Sequence, residues 1–246
     1  MGSELVMGGM ASMVPDGLYP VAWAFVLVGL LSAAVMLHDI YVRRFRQDRV
    51  AMEAVWAITA LYLGPIALLA YFAWGRTNSA KGRVPDSARQ KRRWAQAFTG
   101  GTPGGAAATV AHFIGVPLVV ASGLTIAGIN LWVLIIVIAL LAIVLLFLFE
   151  KFAAGMTTGR AFLTAAMIVL AFDIGMGGWM ILLHFSSLMP GPTDVRFFFL
   201  MGIGNIVGFI TAYPIVNVLA RRKAADAESG HLRISEDIDS IGMGAA

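Results

Sequence analysis

Cysteine is absent from the 246-residue chain. That excludes disulfides, thiolate metal sites and cysteine nucleophiles, and it leaves the redox compartment open. Charge is scarce: Asp, Glu, Lys and Arg make up 13% of residues, against about 25% in soluble domains. The opening stretch MGSELVMGGMASMVPDGLYP has no basic residue and no long apolar core, so it is a poor signal peptide and the first apolar segment is expected to serve as an uncleaved insertion signal. Catalytic signatures are missing as well. TGGTPGG at 99–105 lacks the Gly-Lys-Ser/Thr of a phosphate-binding loop, and there is no HExxH, nucleophile elbow or dinucleotide fingerprint. No lysine lies within an apolar run to form a retinal Schiff base. Accordingly no catalytic residue, metal site or cofactor is predicted.

What is abundant is apolar surface. Hydrophobic residues are 59% of the chain and mean hydropathy is +0.81, more than a soluble fold of this length can hide, so the bilayer must serve as solvent. Residues 129–149, INLWVLIIVIALLAIVLLFLF, carry no charge; a helix of that length spans roughly 30 Å, the hydrocarbon thickness. The pattern predicts an all-α polytopic membrane bundle of about six transmembrane helices, at about 20–42, 51–75, 105–127, 129–150, 161–185 and 196–220. Segment 1–19 precedes the transmembrane domain at 20–222, a basic loop occupies 76–98, and 223–246 reads as a polar, flexible tail. Pro103 after Thr102 fits a helix start, so TGGTPGG is expected to open the third span. Gly128 is expected to turn the third span tightly into the fourth.

The net charge is +4 and the sequence pI about 9.7. Because the basic residues flank apolar spans, anionic lipid headgroups are the expected partner rather than nucleic acid. Counting Lys and Arg over six crossings puts 13 inside and 5 outside when both termini are cytoplasmic, the favoured orientation. Arg43, Arg44, Arg46 and Arg49 dissent from it, and snorkelling of these side chains into the headgroups is the expected accommodation. Trp56, Tyr62, Trp74, Trp94 and Trp132 include several near expected interfaces, as in aromatic belts.

Polar residues inside the spans carry the functional candidates. Asp173 falls mid-span, where a carboxylate costs about 2.5–3.5 kcal/mol to insert; it is either a proton or cation site or a hydrogen bond to a neighbouring helix. His112, about two turns into the third span, is a candidate for a proton relay with Asp173 or for a metal or haem ligand, or else a satisfied bundle histidine. Met176 and Met180 share a face and, with Met167, Met201 and His112, offer soft copper ligands or plain packing. His38 beside Asp39 is a candidate for an outward-facing polar patch, and His184 also falls near a span end. Pro65, Pro117 and Pro214 are expected helix breaks that free carbonyls for a binding or permeation site. Gly204 and Gly208, with Gly175, Gly177 and Gly178, give the last two spans thin faces. These two spans are expected to pack closely and to bring Asp173 near Asn205, so Asp173, His112 and Asn205 are the candidate substrate or ion pathway.

Two stretches carry a resemblance. AWAFVLVGLLSAAVMLHDIYVRR with VWAITALYLGPIALLAYFAWGR, and GMGGWMILLHF with FFFLMGIGNIVGFITAYPIVNVLARR, resemble the opening and closing helix pairs of an uncharacterised bacterial membrane family, DUF4396. The runs Trp56 to Pro65 and Gly208 to Pro214 are its most specific parts. The resemblance implies the helical membrane fold and an inner-membrane location, and no activity. Family members carry a His-Cys…Cys motif at the start of the third span, which suggests a metal or redox site; this chain has TPGGAAATVAH there, and His112 stands outside that pattern. Three roles follow from the reading: an accessory or structural subunit, with membrane-protein partners or a homo-oligomer as its company; a small transporter or channel; or a redox protein using His112 with methionines.

Overall fold

The computed structural model describes residues 13–76 and 93–243, with side chains placed at 13–76 and 95–222. All regular structure among these residues is helical. Helix α1 runs Leu18–Leu37 and continues as a π-helical turn, His38–Val42; α2 is Val50–Leu63; α3 is Pro65–Ala70 and continues as a π turn, Tyr71–Gly75. Then follow α4 (Arg93–Ser122), α5 (Asn130–Leu148, with a π turn Phe149–Ala153), α6 (Thr158–Phe185) and α7 (Val195–Met243). Five stretches are long and apolar enough to cross a membrane: Leu18–Val42, Ala95–Ser122, Asn130–Ala153, Thr158–Phe185 and Val195–Arg222. The all-helical membrane bundle is as the sequence reads.

The second expected span differs. It is broken at Gly64, whose φ of 51° and ψ of −124° suit a residue without Cβ, and Pro65 then starts α3 where its missing N–H is an orphan in any case. The chain turns back on itself there. The Trp56 and Tyr71 rings meet edge to face at 5.7 Å, and a Cβ added at Gly75 would lie 2.7 Å from the Trp56 ring. In a straight helix Trp56 and Gly75 would stand about 28 Å apart at 1.5 Å per residue. Tyr71 and Arg76 instead reach Asp39 at the end of α1, at 3.0 and 3.2 Å. Its apex lies beside the middle of α1: a Cβ at Gly29 would be 2.8 Å from the Leu61 carbonyl, and one at Gly64 3.6 Å from Val28. The segment at 51–75 is therefore a re-entrant hairpin that enters and leaves by one face. Gly64 is buried, its N–H is taken by the Ala60 carbonyl at 2.8 Å and its own carbonyl accepts from Leu68 at 3.2 Å, so the reversal keeps its backbone groups paired at that depth.

Five candidate crossings and a hairpin stand where the sequence reading expected about six crossings. The backbone at Met13 donates to the Ser187 carbonyl at 2.8 Å, in the α6–α7 connection. The end of α1 and the base of the hairpin lie at the other face, with the turn Phe149–Ala153 against α2. The tight α4–α5 link is as expected, with Gly128 at φ 76° and Ile126 and Ile129 paired across the turn.

TGGTPGG does not open a helix, since α4 begins at Arg93 and runs through Pro103 and Pro117. Its glycines are a packing surface. A Cβ at Gly101 would lie 3.2 Å from Phe209, and one at Gly104 2.7 Å from Ile168; the Tyr62 hydroxyl sits directly on Gly105. Where lipid tails compete equally for apolar surface, such close van der Waals approach is what holds helices together. The same holds between α6 and α7, where Gly175 faces the Val207 carbonyl and Gly208 the Phe172 ring. Two buried clusters result. The larger joins α4 to α7, and the smaller, around Met36, Trp56, Ala60 and Tyr71, holds α1 to the hairpin.

Candidate functional site

A cavity of about 840 Å³ lies at the seam between these two units. Trp23, Phe25 and Leu30 of α1 line it on one side and Phe113, Phe198 and Met201 of α4 and α7 on the other. Trp23, Leu30 and Phe113 are more than half exposed, so it is a cleft open toward the lipid side of the bundle. Phe25 seats its ring on Gly202 of α7 and closes the back.

The mouth is held by an ion-pair clamp. Asp194, in the connection before α7, accepts from Arg196 Nη2 at 2.7 Å and from the Tyr19 hydroxyl at 3.4 Å. Arg196 also donates to the Val14 carbonyl and to Asp16 Oδ1, at 2.9 and 3.1 Å, and its guanidinium lies 4.1 Å over the Tyr19 ring. The hydrogen bond from Arg196 holds the Asp194 carboxyl below the usual carboxylate range, overcoming partial desolvation.

The floor, at mid-depth, is polar. Tyr62 from the hairpin apex, Thr109 and His112 from α4 and Asn205 from α7 all line the cavity. Asn205 Nδ2 donates to Thr109 Oγ1 at 3.4 Å, and Thr109 Oγ1 donates to the Gly105 carbonyl at 2.8 Å. His112 Nδ1 stands 2.8 Å from the Ala108 carbonyl, so this nitrogen carries the proton. Three atoms remain buried without a hydrogen-bond partner: Tyr62 Oη, His112 Nε2 and Asn205 Oδ1. Their side chains belong to residues only 2%, 8% and 5% exposed. Each such orphan costs about 1–3 kcal/mol.

His112 and Asn205 both line this cavity, while Asp173, which the sequence reading grouped with them, is not on its wall. Asp173 lies on α6, partly buried, with Oδ2 lacking a partner. Pro65 stands at the hairpin break; Pro117 lines the cleft within unbroken α4, and Pro214 lies within unbroken α7. Met176 packs on Gly204, and Met201 lines the cleft. His38 is exposed, whereas its neighbour Asp39 is 1% exposed and turned toward Arg43, Arg76 and Tyr71. Tyr62 and Thr109 were not singled out as site residues. Tyr62 reads as an interfacial aromatic until the chain is known to turn back two residues later.

At the opposite face, the base of the hairpin is tied by buried carboxylates. Glu53, 1% exposed, accepts from Arg46 Nε at 2.7 Å and from the Gln47 backbone at 3.0 Å. Among the described residues no group of three or more His, Cys, Asp or Glu is placed to hold a metal ion.

Fold and site together define a multi-pass helical membrane protein with a lateral, polar-floored cleft. A family model described as "Domain of unknown function (DUF4396)" matches residues 93–224, more than half of the chain, and the chain belongs to that family. The match covers α4, α5, α6 and the membrane part of α7, including His112, Thr109 and Asn205, and leaves α1 and the hairpin with Tyr62 outside it. No curated protein and no solved structure matches the chain.

Proposed function

We propose that this protein is an accessory membrane subunit that binds, without turning over, a small molecule dissolved in the bilayer, holding it in the cleft between α1 and the α4–α7 body. The observation that carries this reading is the convergence of three buried, unpartnered polar atoms on residues of one largely apolar cavity. Pockets of about 300–1,000 Å³ with a few placed polar groups are the usual form of small-molecule sites. Opening toward lipid gives the occupant a route in from the membrane.

Charge supports an orientation. Read on five crossings, all but one of the 18 Lys and Arg residues belong to segments that enter or leave the bundle at the hairpin-base face, Arg196 being the exception. The four arginines at 43–49, which dissent from a six-span count, now agree with the rest. The positive-inside rule makes that face cytoplasmic, next to anionic headgroups of a cell (inner) membrane, and puts the Asp194–Arg196 mouth outside.

The test is native mass spectrometry of the endogenous protein, extracted from its own membrane in mild detergent. A stoichiometric small-molecule adduct, with or without foreign subunits, is the expected result. A second reading, transport, draws on the re-entrant hairpin, whose apex forms part of the cleft floor at mid-depth. A bare chain that moves ions or solutes in liposomes would favour it and overturn the binding reading.

A further inference from the structure

The floor of the cleft has a hydrogen-bonding polarity, and it narrows what the cleft can take. His112 commits Nδ1–H to the Ala108 carbonyl, so Nε2 of the neutral ring presents a lone pair. Asn205 commits its amide N–H to Thr109, so Oδ1 is left as an acceptor. Thr109 donates to Gly105 while receiving that bond. The Tyr62 hydroxyl alone can act either way. The floor therefore offers two acceptors and one hydroxyl, all in residues at least nine-tenths buried.

No ionised group stands there to receive a charge. Among the described residues the one charged group lining the cavity, Asp194, is at the mouth and is already engaged by Arg196 and Tyr19. A charged head would be stripped of water at mid-depth with no counter-ion to offset the loss, which an uncharged head avoids. The walls are aromatic and aliphatic, suited to an apolar body that enters sideways from lipid.

We infer that the cleft binds an uncharged amphipathic molecule, one with an apolar body and a hydroxyl or N–H head that donates to one of the two acceptors, His112 Nε2 or Asn205 Oδ1. This rests on the binding reading above and adds the ligand's chemical class. A plain acyl chain leaves the three polar atoms unpaired, and a carboxylate or quaternary ammonium places an unbalanced charge on them.

The experiment uses the full chain in detergent and four probes with the same hexyl tail: 4-hexylphenol, 4-hexylanisole, 4-hexylbenzoate and hexyltrimethylammonium. Binding is read by quenching of Trp23, which lines the cleft, with Trp23→Phe as the blank. The phenol is expected to bind about tenfold or more tightly than its methyl ether, since a site built to receive a donor rejects the analogue lacking it. Benzoate and ammonium are expected to be weaker still. Replacing both acceptors, His112→Leu together with Asn205→Leu, should bring the phenol-to-ether ratio to within about twofold of one. The wild-type comparison stands even if that variant fails to fold. Equal affinity for phenol and ether, or tighter binding of either charged probe, overturns the inference. If the endogenous protein carries a stoichiometric adduct but the probes show no preference for the donor, the ligand class is wrong and the binding reading survives. If there is no adduct and no probe binds, both fall.

Discussion

The Tyr71 hydroxyl donates to Asp39 Oδ2 at 3.0 Å across 32 residues of sequence. That bond closes the hairpin on the end of α1: α2 climbs to mid-depth, Gly64 reverses the chain, and α3 descends to the face it came from. The cleft floor exists because Tyr62 stands at that apex.

Close approach of α1 to the apex depends on Gly29. A Cβ there would lie 2.8 Å from the Leu61 carbonyl, a backbone atom that cannot swing aside. Gly29→Ala is expected to destabilise by about 1–3 kcal/mol, the range for overpacking. Gly178→Ala, where an added Cβ meets nothing within 4 Å, should be neutral or slightly stabilising because alanine favours helix. Thermal unfolding of the two variants in the same detergent checks the contrast.

The hairpin base makes a prediction of sign. Glu53 is 1% exposed and Arg46 is its side-chain partner at 2.7 Å, with the arginine itself about half exposed. Arg46→Ala leaves a buried carboxylate without its counter-charge and should lower the melting temperature. Adding Glu53→Gln removes the stranded charge and should restore part of the loss. A double-mutant cycle should show the two losses to be non-additive; additive effects would mean that the pair contributes nothing.

Stability should fall at low pH through the mouth clamp. The Asp194 carboxyl is held below its ordinary value mainly by the Arg196 hydrogen bond. For a group whose folded value is depressed, the contribution is complete above the unfolded value, about 3.9, and is lost as pH falls through the folded value. Melting temperature recorded between about pH 3 and pH 7 should therefore drop at the acid end for wild type. Asp194→Asn, which cannot titrate, should lower the plateau and flatten that limb.

The helical bundle was legible because long apolar runs force it; the thin faces of α6 and α7 were legible at Gly175, Gly204 and Gly208, whereas Gly177 and Gly178, expected to share that face, do not pack on α7. The hairpin was not legible, because a mostly apolar stretch of 25 residues, 51–75, suffices to span a bilayer and a Gly-Pro pair at its centre reads equally as a kink. The signal that separates the two is charge: Arg43 to Arg49 contradict the rest only if residues 51–75 cross. His112 and Asn205 were recognisable as buried polar groups, yet their meeting with Tyr62 is tertiary. The TGGTPGG stretch misled through local preference, since Pro103 and four glycines suggest a helix start, whereas packing of Tyr62, Ile168 and Phe209 against the glycines holds a continuous helix.

The absence of native cysteine makes the central claim directly measurable. Single cysteines at Arg44, Phe152 and Met13 can each be tested with a membrane-impermeant maleimide in intact cells and in inverted vesicles. A re-entrant hairpin places Arg44→Cys and Phe152→Cys on the same face, labelled only in inverted vesicles, and Met13→Cys on the other, labelled in intact cells. Labelling of Arg44→Cys and Phe152→Cys from opposite sides would mean that residues 51–75 cross the membrane, and would contradict the fold, the orientation and the origin of the cleft floor together.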